Sequence, residues 1–222
     1  MPPVSRAIAL FSRRAESYAR FIRLVLYPQG IRGYFLHGPF LRSGLRVLDA
    51  GCGTGAITLA LREALVRRGL APGITQAFDL TPAMLDCFHQ RLRARGITGV
   101  ETAQADVCEL NALPQSWKGY DLVVSASMLE YVPRRRSTAA IAGLRDLLAP
   151  GARFVLFITR RNLVTRALIG RWWQGNLYDE DELRETFGRA GFERFRFGAF
   201  PLTAAHPSLW GHIVEASTSG DR

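Results

Sequence analysis

At 222 residues and 48% hydrophobic composition, the chain can bury one substantial core and is too short for two comfortable domains. Its formal charge is +10 and its only lysine is Lys118, so the basic surface is built from arginine and favours anionic substrates, nucleic acid or anionic lipid head groups. Cys52, Cys87 and Cys108 lack C-x-x-C spacing, which argues against a metal centre or a disulfide scaffold. No apolar run approaches the ~20 residues that span a bilayer, and arginines interrupt the first 27 residues, which argues against a secretory leader; a cytoplasmic location is the expectation.

Residues 5–26 place Ile8, Phe11, Ala15, Tyr18, Ile22 and Val25 at helical spacing with arginines between them, predicting an amphipathic helix. Pro28, Gly30 and Gly33 are expected to break that pattern and leave 34–40 as an aromatic connector. From residue 46 the chain alternates apolar runs with helical periodicity. The expected order is strand 46–50, helix 56–68, strand 74–79, helix 82–95, strand 100–105, strand 120–125, helix 137–149 and strand 153–158. An Arg- and Trp-bearing segment, 160–175, precedes a helix over 180–190, where Asp179 with Glu182 three residues later gives a capping signal. Apolar runs at 192–200 and 209–216 close the chain. Strands alternating with helices argue for a parallel sheet covered on both faces.

The most informative stretch is 47–55, Val-Leu-Asp-Ala-Gly-Cys-Gly-Thr-Gly, a short buried strand that ends in an acid and a glycine-dense turn before a helix. Glycines at 51, 53 and 55 let the backbone take positive φ and approach a ligand closely. The pattern Gly51-x-Gly53-x-x-Ala56 also fits the relaxed dinucleotide fingerprint. Asp49, two residues before the first glycine, would repel a pyrophosphate and attract a cationic amino group, which favours a zwitterionic ligand. Asp79 ends the second strand at the spacing that reaches a ribose. Asp106 ends the third, and the fourth runs into Ser125-Ala126-Ser127-Met128-Leu129-Glu130-Tyr131.

This ordered series resembles the class I S-adenosylmethionine-dependent methyltransferases over roughly residues 45–216. The resemblance implies a Rossmann-like α/β fold, with a mostly parallel seven-stranded sheet, helices on both faces and an antiparallel C-terminal strand. It also implies that Asp49 with Gly51, Cys52, Gly53, Thr54 and Gly55 holds the methionine part of the cofactor, that Asp79 with Leu80 binds the ribose, and that Asp106 with Val107 meets the adenine. Ser125 follows on the fourth strand. Phe11-x-x-x-Ala15-x-x-Tyr18 and Gly30-Ile31-Arg32 are similar to the entry segment of the ubiquinone/menaquinone C-methyltransferase group, which implies that Tyr18 lies near the cofactor. Ala19 stands where that group commonly has Asp. The expected organisation is a helical lid segment (1–44), the methyltransferase domain (45–217) and a short tail (218–222), with 160–176 completing the lid.

Methyl transfer from a sulfonium needs alignment, exclusion of water and, for some acceptors, a base. By position the candidate bases are Tyr131, Glu130 and His37, followed by Tyr34, Tyr178 and His206. Related enzymes often carry His in the stretch occupied here by Leu129-Glu130-Tyr131. The clusters Arg134-Arg135-Arg136 and Arg160-Arg161, with Arg166, Arg171, Trp172 and Trp173, are expected to gather positive charge at the mouth. They would face an anionic acceptor or an anionic membrane. The expected acceptor is a small or lipid-like molecule such as a quinone, phenol, natural product or phospholipid. The rivals are an RNA methyltransferase and a non-catalytic methyltransferase-like domain that binds a membrane or protein partner.

Overall fold

The computed structural model describes residues 27–161, 175–198, 200 and 211–219. Its elements are α1 (Tyr27–His37), β1 (Val47–Ala50), α2 (Ala56–Arg67), β2 (Thr75–Asp79), α3 (Pro82–Ala94), β3 (Val100–Gln104), β4 (Tyr120–Ala126), α4 (Arg134–Asp146), β5 (Leu148–Thr159), α5 (Glu180–Arg189), β6 (Arg194–Gly198) and β7 (Gly211–Ser217). They form one seven-stranded sheet in the order β3-β2-β1-β4-β5-β7-β6. Every neighbouring pair is parallel except those made by β7, which runs antiparallel to β5 and to β6. The mostly parallel α/β sheet with an antiparallel C-terminal strand is therefore the one expected.

Alternation along the strands sorts side chains to the two faces. Leu48, Val123, Phe154, Leu156 and Val214 share a core with Ile141 and Leu144 of α4 and Leu183 and Phe187 of α5. Val47, Leu122, Val124, Phe157 and Ile213 pack instead with Ile31 and Phe35 of α1 and Leu61 and Leu65 of α2. Ala77 of β2 meets Leu85, Phe88 and Leu92 of α3 in a third cluster. The chain leaves β1 toward β2 and β3 on one side and enters β4 and β5 on the other, so a crevice opens at the carboxyl ends of β1 and β4, where ligands bind in open α/β sheets.

Two boundaries differ from expectation. Helix α1 runs through Pro28, Gly30 and Gly33 and ends only at His37, so 34–40 is not simply a connector. Pro28 falls in the first turn, where its missing N–H costs nothing, and burial of Ile31, Tyr34 and Phe35 outweighs the low helix propensity of two glycines. Helix α4 starts at Arg134, directly after Pro133, and stops at Asp146. The residues beyond it are drawn into the sheet, with Tyr120 paired to Leu148. The predicted helix over 5–26 lies outside the described residues, as do Arg166, Arg171, Trp172 and Trp173.

Candidate active site

The crevice is lined by the turn after β1 (Gly51 to Thr54), by Asp79, Leu80 and Thr81 after β2, and by Asp106, Val107 and Cys108 after β3. Its remaining wall comes from Ile31 of α1, from Met84 of α3, and from Ser127, Met128, Tyr131, Val132 and Pro133 beyond β4.

The turn is held by its own backbone and by the next strand. Gly51 and Cys52 both donate N–H bonds to the Phe78 carbonyl (2.9 Å each), and Gly55 N–H donates to Cys52 O at 2.8 Å. Gly51, Gly53 and Gly55 all have positive φ (70°, 52° and 81°). A Cβ on Gly51 would strike Met128, and one on Gly55 would strike the Phe88 ring. A Cβ on Gly53 would point into open space. Two of the glycines thus serve packing and the third keeps the crevice clear.

Asp79 ends β2 with both carboxylate oxygens engaged: Oδ2 accepts from Gly53 N–H and Oδ1 from Thr81 N–H, each at 2.8 Å. Burial pushes its carboxyl above the usual range despite these bonds. Each oxygen retains a lone pair for a further donor. Asp106 Oδ1 accepts from Cys108 N–H at 2.8 Å, which fixes the turn after β3.

Asp49 lies beneath the turn and does not line the crevice. It is 1% exposed, and Oδ2 accepts from Thr58 Oγ1 (2.6 Å) and Thr58 N–H (3.1 Å), whereas Oδ1 is buried without a hydrogen-bond partner. Burial pushes its carboxyl up to about 7, with Thr58 opposing the shift. Thr58 was not singled out from sequence; the signal for it is a lone polar side chain on the buried face of α2.

Of the other predicted site residues, Tyr131 lines the crevice and Glu130 does not. The Glu130 carboxylate is 2% exposed and accepts from Thr159 N–H at 2.7 Å, while its backbone carbonyl accepts from Asn176 N–H at 2.7 Å. The ends of the 160–175 segment are thereby tied to one residue. Ser125 is fully buried and donates its hydroxyl to Ala50 O at 2.8 Å, joining β4 to β1 behind the crevice. His37 is exposed at the last residue of α1 and lies away from the lining. Tyr34 packs edge-on against Phe157, and the Tyr178 hydroxyl pairs with Ser137 at 2.9 Å, so neither faces the crevice. Tyr18 and His206 lie outside the described residues. Met84 and Cys108 were missed because nothing in their local pattern marks them, and Ile31 stood out only as part of the Gly30-Ile31-Arg32 entry segment.

The expected basic edge is largely committed to structure. Arg134 bonds Glu182 (2.9 Å) and Leu177 O (2.5 Å) and sits 4.7 Å over the Tyr178 ring, and Arg136 bonds Glu109 and Cys108 O. Arg161 pairs with Asp179 and Glu182. The reason is the earlier start of α4, which puts its arginines against α5 and the turn after β3. Burial raises the Cys52 and Cys108 thiols, Cys108 to about 11, so neither is poised as a thiolate. Among the described residues no His, Cys, Asp and Glu cluster suits a metal, and no helix is long and apolar enough to cross a membrane.

Residues 47–151 match the family model described as a methyltransferase domain. The chain is 34% identical over 110 residues to a malonyl-[acyl-carrier protein] O-methyltransferase of Paenibacillus sp., covering 50% of this chain and 37% of that protein. A highly reducing polyketide synthase, cm3B of Cordyceps militaris, is 32% identical over 147 residues, which are 62% of this chain and 6% of the synthase. The chain thus spans well under half the length of these relatives. The crystal structure of magnesium protoporphyrin IX methyltransferase (ChlM) from Synechocystis PCC 6803 with bound SAM superposes with a TM-score of 0.68 at 18% identity, covering 99% of this chain and 98% of that one. The match over residues 47–151 is to a methyltransferase domain, and the sheet around them has the Rossmann-like fold of that S-adenosylmethionine-binding methyltransferase structure. Nothing in these relatives singles out the ubiquinone/menaquinone group.

Proposed function

We propose that the chain transfers a methyl group from S-adenosylmethionine to a small, apolar or amphiphilic acceptor. The observation that carries this reading is the convergence of the glycine turn, Asp79 and Asp106, from three successive strand ends, on one crevice whose far wall is Ile31, Met128, Tyr131, Val132 and Pro133. The residues fit the cofactor: the cradle at Gly53 has no Cβ to fill it, Asp79 keeps acceptor capacity for vicinal hydroxyls, and the orphaned Asp49 oxygen adds negative character beneath the turn. When bound, S-adenosylmethionine supplies a sulfonium-activated methyl group.

The protein's own contribution is placement and exclusion of water. Gly51 lets Met128 close over the turn, and the apolar wall disfavours water at an incoming acceptor. Ser127 and Tyr131 bring hydroxyls to this side of the crevice, and the phenol of Tyr131 is the candidate to receive or pass a proton. With Arg134, Arg136 and Arg161 in ion pairs, an uncharged or weakly charged acceptor fits this wall better than an RNA backbone. Calorimetric titration with S-adenosylmethionine and S-adenosylhomocysteine, with NADH and NADPH as controls, tests the reading. Binding of the first pair alone is expected; binding of the nicotinamides, or of none by folded protein, would overturn it.

A further inference from the structure

A second concavity lies outside the crevice, between α1, α2, α3 and the chain leading into β2, with a volume of about 890 Å³. Its charged lining is Arg32, Arg62, Arg67, Arg91 and Arg95 against the single carboxylate of Glu63. Arg32 and Arg67 approach that carboxylate from opposite sides at 3.0 and 2.9 Å, so its charge is already shared between two guanidinium groups. Arg62 donates to the Thr98 carbonyl and makes no ion pair with a carboxylate among the described residues. Between these groups lie Leu59, Val66, Pro72 and Ile97. Val66 is 73% exposed, the more exposed of two exposed large hydrophobic residues among the described residues. Apart from Ala56, which lines both cavities, and Arg91, which bonds Thr54 of the crevice turn at 2.7 Å, this apolar strip and its flanking cations lie away from the crevice.

We propose that this groove docks an acidic, amphipathic segment of a partner protein. Charge complementarity selects the sign of the occupant, and exposed Val66 with Leu59, Pro72 and Ile97 selects for apolar side chains along one of its faces. The groove is far larger than a single phosphate needs. It lacks an aromatic platform among its described lining residues, which a nucleic-acid strand would use for stacking. The chain's own first 26 residues carry five arginines and one glutamate, the wrong sign to fill it. Arg67, Arg95 and Val66 do not line the crevice, so substitutions there probe the groove apart from the cofactor site, whereas Arg91 is left unaltered because it bonds Thr54.

The test is fluorescence anisotropy of a labelled helical peptide with Glu on one face and Leu on the other, titrated with the full chain. Saturable binding that weakens with salt is expected, with about tenfold loss for Arg95→Glu and for Val66→Asp. Thermal unfolding and S-adenosylmethionine titration of the same variants should match the parent protein, which separates failure of the groove from failure of the methyltransferase reading. Absence of saturable binding, or binding indifferent to both substitutions, would overturn the proposal. So would tighter, groove-dependent binding of a single-stranded RNA oligonucleotide or of phosphatidylglycerol vesicles.

Discussion

The carboxylate of Asp79 accepts a 2.8 Å hydrogen bond from the backbone N–H of Gly53, so the acid that ends β2 also holds the turn that follows β1. Two strand ends are thereby fixed to each other before any ligand arrives. Asp79→Ala is expected to strand the Gly53 and Thr81 N–H groups and cost about 1–3 kcal/mol of stability. It should also weaken S-adenosylmethionine binding by about tenfold or more, in line with about 1.4 kcal/mol per decade. Asp79→Asn should fall between, because one of its two positions becomes a donor facing a donor. Thermal unfolding and calorimetry read the two effects separately, and unchanged cofactor binding in Asp79→Ala would overturn the placement of the site.

The turn glycines separate fold from binding. Gly55→Ala would force a Cβ into Phe88 at φ 81° and should lower the melting temperature well beyond the strain of a positive φ alone. Gly53→Ala meets no neighbour, so its stability cost should stay near the about 1 kcal/mol expected for a strained backbone. Gly53 lines the crevice, so cofactor affinity should fall more than stability does. Equal losses at both positions would show Gly53 to be a folding residue.

Much of this was legible because each strand is a short apolar run punctuated by an acid or a glycine. Asp49, Asp79 and Asp106 stand out for that reason, and the strand ends they mark fall within one or two residues of those observed. The rest depended on long-range contacts. Helix α1 survives two glycines because Ile31, Tyr34 and Phe35 are buried against the sheet, and no local pattern announces that burial. Ser125 and Glu130 sit where strand-end residues meet ligands, yet their side chains satisfy the backbone at Ala50 and Thr159. Sequence spacing cannot choose between those uses. The arginine run at 134–136 read as a ligand-facing cluster because its acidic partners, Glu109 and Glu182, are distant in sequence.

Asp49 is expected to make cofactor binding sensitive to pH. Its carboxyl is pushed up to about 7 by burial, so below that value the residue is neutral in the folded protein, and above it a buried negative charge lies beneath the turn. A ligand carrying an ammonium group favours the ionised form and lowers the carboxyl's pKa on binding. Affinity for S-adenosylmethionine should therefore rise as pH increases through about 7 and then level off, with proton release measurable by calorimetry in buffers of different ionisation enthalpy. For folding the sign is opposite: the raised pKa is a penalty that is absent at low pH, grows as pH climbs from the usual carboxylate range, and is complete above about 7. Asp49→Asn should remove both dependences while keeping an acceptor for Thr58. A pH-independent affinity in the parent protein would exclude this role.

Glu130 and Tyr131 are adjacent in sequence and divided in duty. Burial raises the Glu130 carboxyl, and its protonated form still accepts from Thr159 N–H. Glu130→Gln should therefore fold at least as well as the parent, with less loss of stability as pH rises. Glu130→Ala removes the acceptor for Thr159 and should cost about 1–3 kcal/mol, loosening the end of β5. Tyr131→Phe leaves the wall intact and deletes only the hydroxyl. If that hydroxyl handles the acceptor's proton, turnover should drop about 100-fold, within the usual range for a positioned acid or base, with cofactor affinity unchanged. Turnover equal to the parent's would make Tyr131 a wall residue and assign the proton to solvent.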